Sequence, residues 1–129
     1  MTIYLPGHTE LATRLSNRDH MLVICFCAAW CDTCRAYQPK FESLSRSFPD
    51  ASFVWVDIED EPALLGDVDV ENFPTLLIEV GGGIKFFGTM LPHIDLLERL
   101  IQSARPEDKN QPTSLPDVRS MLIDMARPA

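Results

Sequence analysis

Positive charge is scarce in this chain. Its 129 residues hold 11 Lys and Arg against 19 Asp and Glu, giving a formal net charge of −8 and a pI near 4.7. Such a balance repels phosphate backbones and anionic lipid headgroups, which argues against nucleic acid or a membrane surface as the partner. Long apolar runs are missing as well. The run from Met21 to Trp30 reaches about half of the ~20 residues a spanning helix needs. Asp19 and His20 precede it, and cleavage at Cys27-Ala28-Ala29 would discard the segment leading into Cys31, so it reads as a core strand rather than a secretory signal. Histidine is limited to His8, His20 and His93, placed singly without metal-ligand spacing. Cysteine is sparse and clustered, with all four residues between Cys25 and Cys34, which is no disulfide scaffold.

What is present suits one globular domain: 46% hydrophobic and 23% charged residues. The acidic excess falls within residues 1–104, where Asp57 to Glu71 carries seven acids and no base. A solvated helix and its loops account for that stretch more simply than a docking site for a basic partner. The pattern predicts a short strand over Thr2–Leu5, a helix over Thr9–Asn17, and a strand buried on both faces over Met21–Ala28. A helix over Asp32–Phe48, interrupted at Pro39, follows with Tyr37, Phe41, Leu44 and Phe48 on its apolar stripe. A second buried strand is expected over Ala51–Ile58 and a short helix over Glu61–Leu65. Strands over Pro74–Val80 and Ile84–Phe87 join through Gly81-Gly82-Gly83 as a hairpin. An amphipathic helix over Pro92–Ala104 follows, with Pro92 in its first turn. This order implies an α/β fold, a central mixed sheet flanked by helices on both faces.

Residues 105–114 form a polar, proline-containing linker, so the expected division is a domain over residues 1–104 and a tail over 105–129. Ser114 with Asp117 resembles a capping box. Leu115, Val118, Met121, Leu122 and Met125 would then line one face of a short amphipathic helix, expected to lie on its own domain.

The informative segment is Ala29-Trp30-Cys31-Asp32-Thr33-Cys34-Arg35, where a buried strand ends and a helix begins. Thiols three residues apart on a first helical turn can close a disulfide. The first faces unpaired N–H groups and the positive end of the helix dipole, which favour thiolate, while the second is shielded about a turn deeper. That asymmetry makes Cys31 the attacking thiol and Cys34 the resolving one. Half of a zinc site is the rival reading, with Cys25 and Cys27 as the remaining ligands. They lie inside a strand, where a closed site would displace core side chains, so no metal is expected.

The chain resembles the thioredoxin family over roughly residues 2–104. The resemblance rests on Ala28 to Cys34 after a buried strand, Pro39 in the following helix, Phe73-Pro74-Thr75 some forty residues on, and Phe87-Gly88-Thr89 after the hairpin. It implies a thioredoxin-like fold and a thiol–disulfide oxidoreductase acting on protein disulfides through Cys31 and Cys34. It also implies a cis peptide before Pro74, with Trp30, Phe73, Pro74 and Gly88 forming a rim for the substrate, no bound cofactor, and electrons from a thioredoxin reductase or another dithiol. A cytoplasmic, redox-homeostatic role is the matching expectation. A non-enzymatic binding or assembly module on the same fold is the alternative.

The chain departs from the family pattern in three places. Asp32-Thr33 stands where thioredoxins usually carry Gly-Pro, placing a negative charge beside the nascent thiolate. Cys25 occupies the place of a buried aspartate that assists proton transfer, and Cys27 that of an aromatic residue. Strand alternation puts both cysteines on one face. The simpler reading makes them small buried hydrophobes; the sharper one lets one of them form an alternative disulfide with Cys34.

Overall fold

The computed structural model describes residues 3–127. Four strands form one mixed sheet in the order β2-β1-β3-β4: β1 Met21–Cys27, β2 Ala51–Asp57, β3 Thr75–Val80 and β4 Gly83–Thr89. β1 runs parallel to β2 and antiparallel to β3, and β3 pairs antiparallel with β4. The helices are α1 Glu10–Leu15, α2 Asp32–Ser45, α3 Ile94–Ser103 and α4 Val118–Ala126, with a 3₁₀ turn at Pro62–Leu64.

The period of two along β1 sorts the core into two layers. Leu22, Ile24 and Phe26 face one layer, which Leu11 and Leu15 of α1 and Val118 and Leu122 of α4 complete. Val23, Cys25 and Cys27 face the other, against Cys34, Tyr37 and Phe41 of α2 and Leu97 and Ile101 of α3. With helices on both faces, β1 is buried along nearly its whole length, which is why its sequence reads as a continuous apolar run.

Several boundaries differ from the sequence expectation. The N-terminal strand reduces to one bridge, Tyr4 with Val54, and Thr2 lies outside the described residues. α2 passes through Pro39 without interruption, because that ring sits on the exposed side of the helix. Phe48 lies beyond the end of α2 but still packs against the α2 and α3 layer. α3 starts after His93, leaving Pro92 outside the first turn. β4 runs on to Thr89, past the expected end at Phe87, since Gly88 pairs with Leu76 and Thr89 with Thr75.

The C-terminal segment is bound to the sheet at several points. Lys85 Nζ donates to the carbonyls of Pro106 and Asp108 at 3.0 and 2.7 Å and to Asn110 Oδ1 at 2.7 Å. Gln111 N–H donates to the Ile84 carbonyl, and the Gln111 carboxamide makes two hydrogen bonds with the backbone of Phe87. Gly81 (φ +66°) and Gly82 (φ +84°) occupy the left-handed region in the tight β3–β4 turn, and a Cβ on Gly81 would come within 2.7 Å of Pro106.

Asp117, rather than Ser114, caps α4, its carboxylate accepting from Ser120 N–H. The buried face of α4 is Val118, Arg119, Leu122 and Ala126, with Met125 exposed. The face is rotated from the expected one because Arg119 turns inward to an ion pair with Glu79 (Nε to Oε1, 2.5 Å). Its remaining donors reach the carbonyls of Leu15, Asn17 and His20.

Candidate active site

The turn between β1 and α2 is held by a set of short-range contacts. Ala29 N–H donates to Asp57 Oδ2 at 3.2 Å from the end of β2, and Ile58 N–H donates to the Cys27 carbonyl at 2.9 Å. Cys31 N–H donates to the Ala28 carbonyl, closing the turn. Cys31 is then the N-cap of α2 in extended backbone (φ −88°, ψ 119°), so its side chain stands at the open end of the helix with no capping bond of its own. Asp32 pairs with Arg35, whose guanidinium also donates to the Ala29 carbonyl. The charge that the sequence places beside the thiol is therefore countered locally, although both partners are exposed and the pair adds little stability.

The four cysteines fall into two environments. Cys31 is a free thiol at partial exposure, on the margin of the α2 and α3 layer. Cys25, Cys27 and Cys34 are buried. Cys34 is disulfide-bonded to Cys27, with their Cα atoms 5.8 Å apart. The disulfide expected between Cys31 and Cys34 is thus not the one this structure holds. Cys34 projects inward from the first turn of α2 and meets the last inward-facing residue of β1. Cys25 Sγ lies 3.6 Å from Cys27 Sγ, and burial pushes the Cys25 thiol far above the ordinary range, so it stays protonated. Beneath them, Tyr37 is also held neutral by burial, and its hydroxyl meets no partner among the described residues.

Across from this turn, the Phe73-Pro74 peptide is cis. Met90 N–H donates to the Pro74 carbonyl at 3.1 Å, and Thr75 Oγ1 donates to the Asn72 carbonyl at 2.7 Å, tying the loop to both ends of the hairpin. Trp30 and Phe73 meet edge to face, with centroids 5.7 Å apart, and Trp30 remains 63% exposed. The structure thereby brings together the residues preceding Cys31 and Pro74. Gly88, on β4, lines a pocket of about 220 Å³ with Asn72, Thr75 and Phe87. Among the described residues, no group of three or more His, Cys, Asp or Glu side chains is placed to hold a metal ion.

The free thiol at the N-cap position of α2 follows a tryptophan that meets the residue before the cis-proline, on a mixed four-stranded sheet. The thioredoxin family model matches residues 6–99. The chain belongs to the thioredoxin family.

Among relatives of this thioredoxin-family protein, Thioredoxin H5 of Oryza sativa subsp. japonica is 32% identical over 123 residues, covering 81% of this chain and 84% of that protein. The solved structure of oxidised mitochondrial thioredoxin 3 from Saccharomyces cerevisiae aligns with a TM-score of 0.64 at 26% identity, covering 79% of this chain and 95% of that one. A thioredoxin variant from Halobacterium salinarum NRC-1 aligns with a TM-score of 0.63 at 29% identity, covering 78% and 88%. The family and a cysteine pair able to form a disulfide make the chain a thiol–disulfide oxidoreductase. No helix among the described residues is long and apolar enough to cross a membrane.

Sequence reasoning missed two supporting residues. Arg35 was legible, since Asp32 and Arg35 stand three apart on a helix surface. Asp57 was not, because only the parallel register of β1 with β2 places it opposite Cys27.

Proposed function

We propose that Cys31 is the attacking thiol of this oxidoreductase and Cys34 the thiol that resolves the mixed disulfide. The observation carrying this reading is the contrast between them: Cys31 is free and accessible at the open N-terminus of α2, whereas Cys34 is buried three residues behind it. Cys31 thiolate attacks a sulfur of a protein disulfide, and one substrate sulfur leaves as a thiol. Cys34 then attacks Cys31 Sγ, releasing the second substrate thiol and joining Cys31 to Cys34. Trp30, Phe73, Pro74 and Gly88 form the surface that receives the substrate, with the backbone at Phe73 pairing with an extended segment.

The electron donor is a thioredoxin reductase or another dithiol, and the compartment is the cytoplasm, where a dithiol reductant can be kept reduced. The test is reduction of insulin disulfides with dithiothreitol as the electron source. Cys31→Ser should fall to the uncatalysed rate, and Cys34→Ser should accumulate a mixed disulfide at Cys31. Wild-type turnover no faster than that of Cys31→Ser would return the protein to the alternative of a non-enzymatic module.

A further inference from the structure

We propose that Cys27 is a third redox cysteine, which takes Cys34 over from Cys31 by internal exchange and stores the disulfide in the core. The inference rests on the Cys31/Cys34 cycle above and extends it by one step. Its grounds are geometric. Cys34 is bonded to Cys27 while Cys31 remains a free, partly exposed thiol. Cys27 and Cys34 are each 1% exposed, and Cys25, 3.6 Å from Cys27, is 0% exposed. The two cysteines that can bond Cys34 therefore differ in setting, Cys31 at the partly exposed N-cap of α2 and Cys27 buried in the sheet.

The step balances internally. After one turnover the protein holds a Cys31–Cys34 disulfide and a Cys27 thiol. Cys27, as thiolate, attacks Cys34 Sγ; the Cys27–Cys34 bond forms, the Cys34–Cys31 bond breaks, and Cys31 leaves as thiolate. The proton lost by Cys27 is balanced by the one Cys31 takes up. No electrons enter or leave, so the protein stays oxidised by two electrons and needs no further oxidant.

Two consequences follow from where the disulfide ends. An external dithiol cannot reach two sulfurs buried to that degree, so re-reduction must pass back through Cys31, by attack of its thiolate on Cys34. Meanwhile Cys31 is free to attack a second disulfide with no thiol available to resolve it. The oxidised protein is then a monothiol that holds its next partner covalently, until an external thiol attacks that mixed disulfide and frees Cys31.

The test locates the disulfide in the oxidised wild-type protein. Reduced protein is treated with one equivalent of diamide, alkylated with N-ethylmaleimide under native conditions, and digested with chymotrypsin and trypsin. Cleavage after Phe26 and Trp30 separates Cys25, Cys27 and the Cys31-to-Arg35 segment. The expected result is nearly one equivalent of alkyl group on Cys31 and a cross-link from the Cys27 peptide to Cys34. In oxidised Cys27→Ser the label on Cys31 should be lost, because the disulfide then closes between Cys31 and Cys34. Wild-type protein with Cys31 protected and only a Cys31–Cys34 linkage would overturn the proposal. That outcome is separable from failure of the underlying cycle, which insulin reduction by Cys31→Ser reads on its own: an inactive Cys31→Ser with a surface linkage removes the relay alone, and an active Cys31→Ser removes the cycle.

Discussion

Replacing Arg119 by methionine should loosen the C-terminal helix and destabilise the whole domain. Arg119 and Glu79 form an ion pair whose side chains are only 7% and 10% exposed, and the same guanidinium supplies donors to the carbonyls of Leu15, Asn17 and His20. Methionine keeps much of the aliphatic volume but leaves the Glu79 carboxylate uncompensated and those carbonyls without a donor. Breaking one side of a buried pair costs about 3–5 kcal/mol. For a chain of 129 residues, with an unfolding entropy of about 2.1 cal/mol/K per residue, that corresponds to a loss of roughly 10–20 °C in Tm. The pairing itself is tested by a double-mutant cycle with Glu79→Leu, followed by urea unfolding monitored by circular dichroism. Removing the second charge should restore at least about 2 kcal/mol relative to Arg119→Met alone, because the unpaired carboxylate is gone. A single variant losing under about 1 kcal/mol, or strictly additive effects, would refute the reasoning and show the tail to be loosely held.

Three further outcomes are expected. Tyr37→Phe should be neutral or stabilising by up to about 1 kcal/mol in urea unfolding, since the buried hydroxyl it removes is unsatisfied. Burial raises the Cys25 thiol above its ordinary value of 9.0, so its contribution to stability is complete below pH 9 and is lost as pH rises beyond it. Unfolding free energy should fall above pH 9 by up to about 1.4 kcal/mol per pH unit for this group, and Cys25→Ala should flatten that decline. Trp30→Ala should cost under about 1 kcal/mol in stability, because the ring is largely exposed, yet raise KM for insulin reduction with little change in Tm.

The sequence made the mixed sheet and the cysteine-bearing turn legible for local reasons. The continuous apolar run of β1 marks a strand covered on both faces, and the spacing of Cys31 and Cys34 marks a helix start. The same alternation put Cys25 and Cys27 on one face, as their sulfur–sulfur approach bears out. Which of them meets Cys34 was out of reach, because it depends on where α2 crosses the end of β1. The face of α4 was misjudged for a related reason. Periodicity treats arginine as polar and outward, whereas the partner that draws Arg119 inward lies forty residues earlier in the chain. Pro39 misled in the opposite direction, since the sequence shows the lost N–H but not that the ring points to solvent.

The segment that crosses β4 has a consequence for how this protein meets other chains. The outermost strand of a sheet normally presents a row of unpaired amides and carbonyls on which a stranger can build. Here Gln111 has already engaged the N–H and carbonyl of Phe87, and its own N–H occupies the Ile84 carbonyl. A side-chain carboxamide thus imitates one residue of an added strand and closes that margin to growth by sheet extension. Association by backbone pairing is thereby disfavoured along the middle of β4, where Ile84 and Phe87 are already engaged.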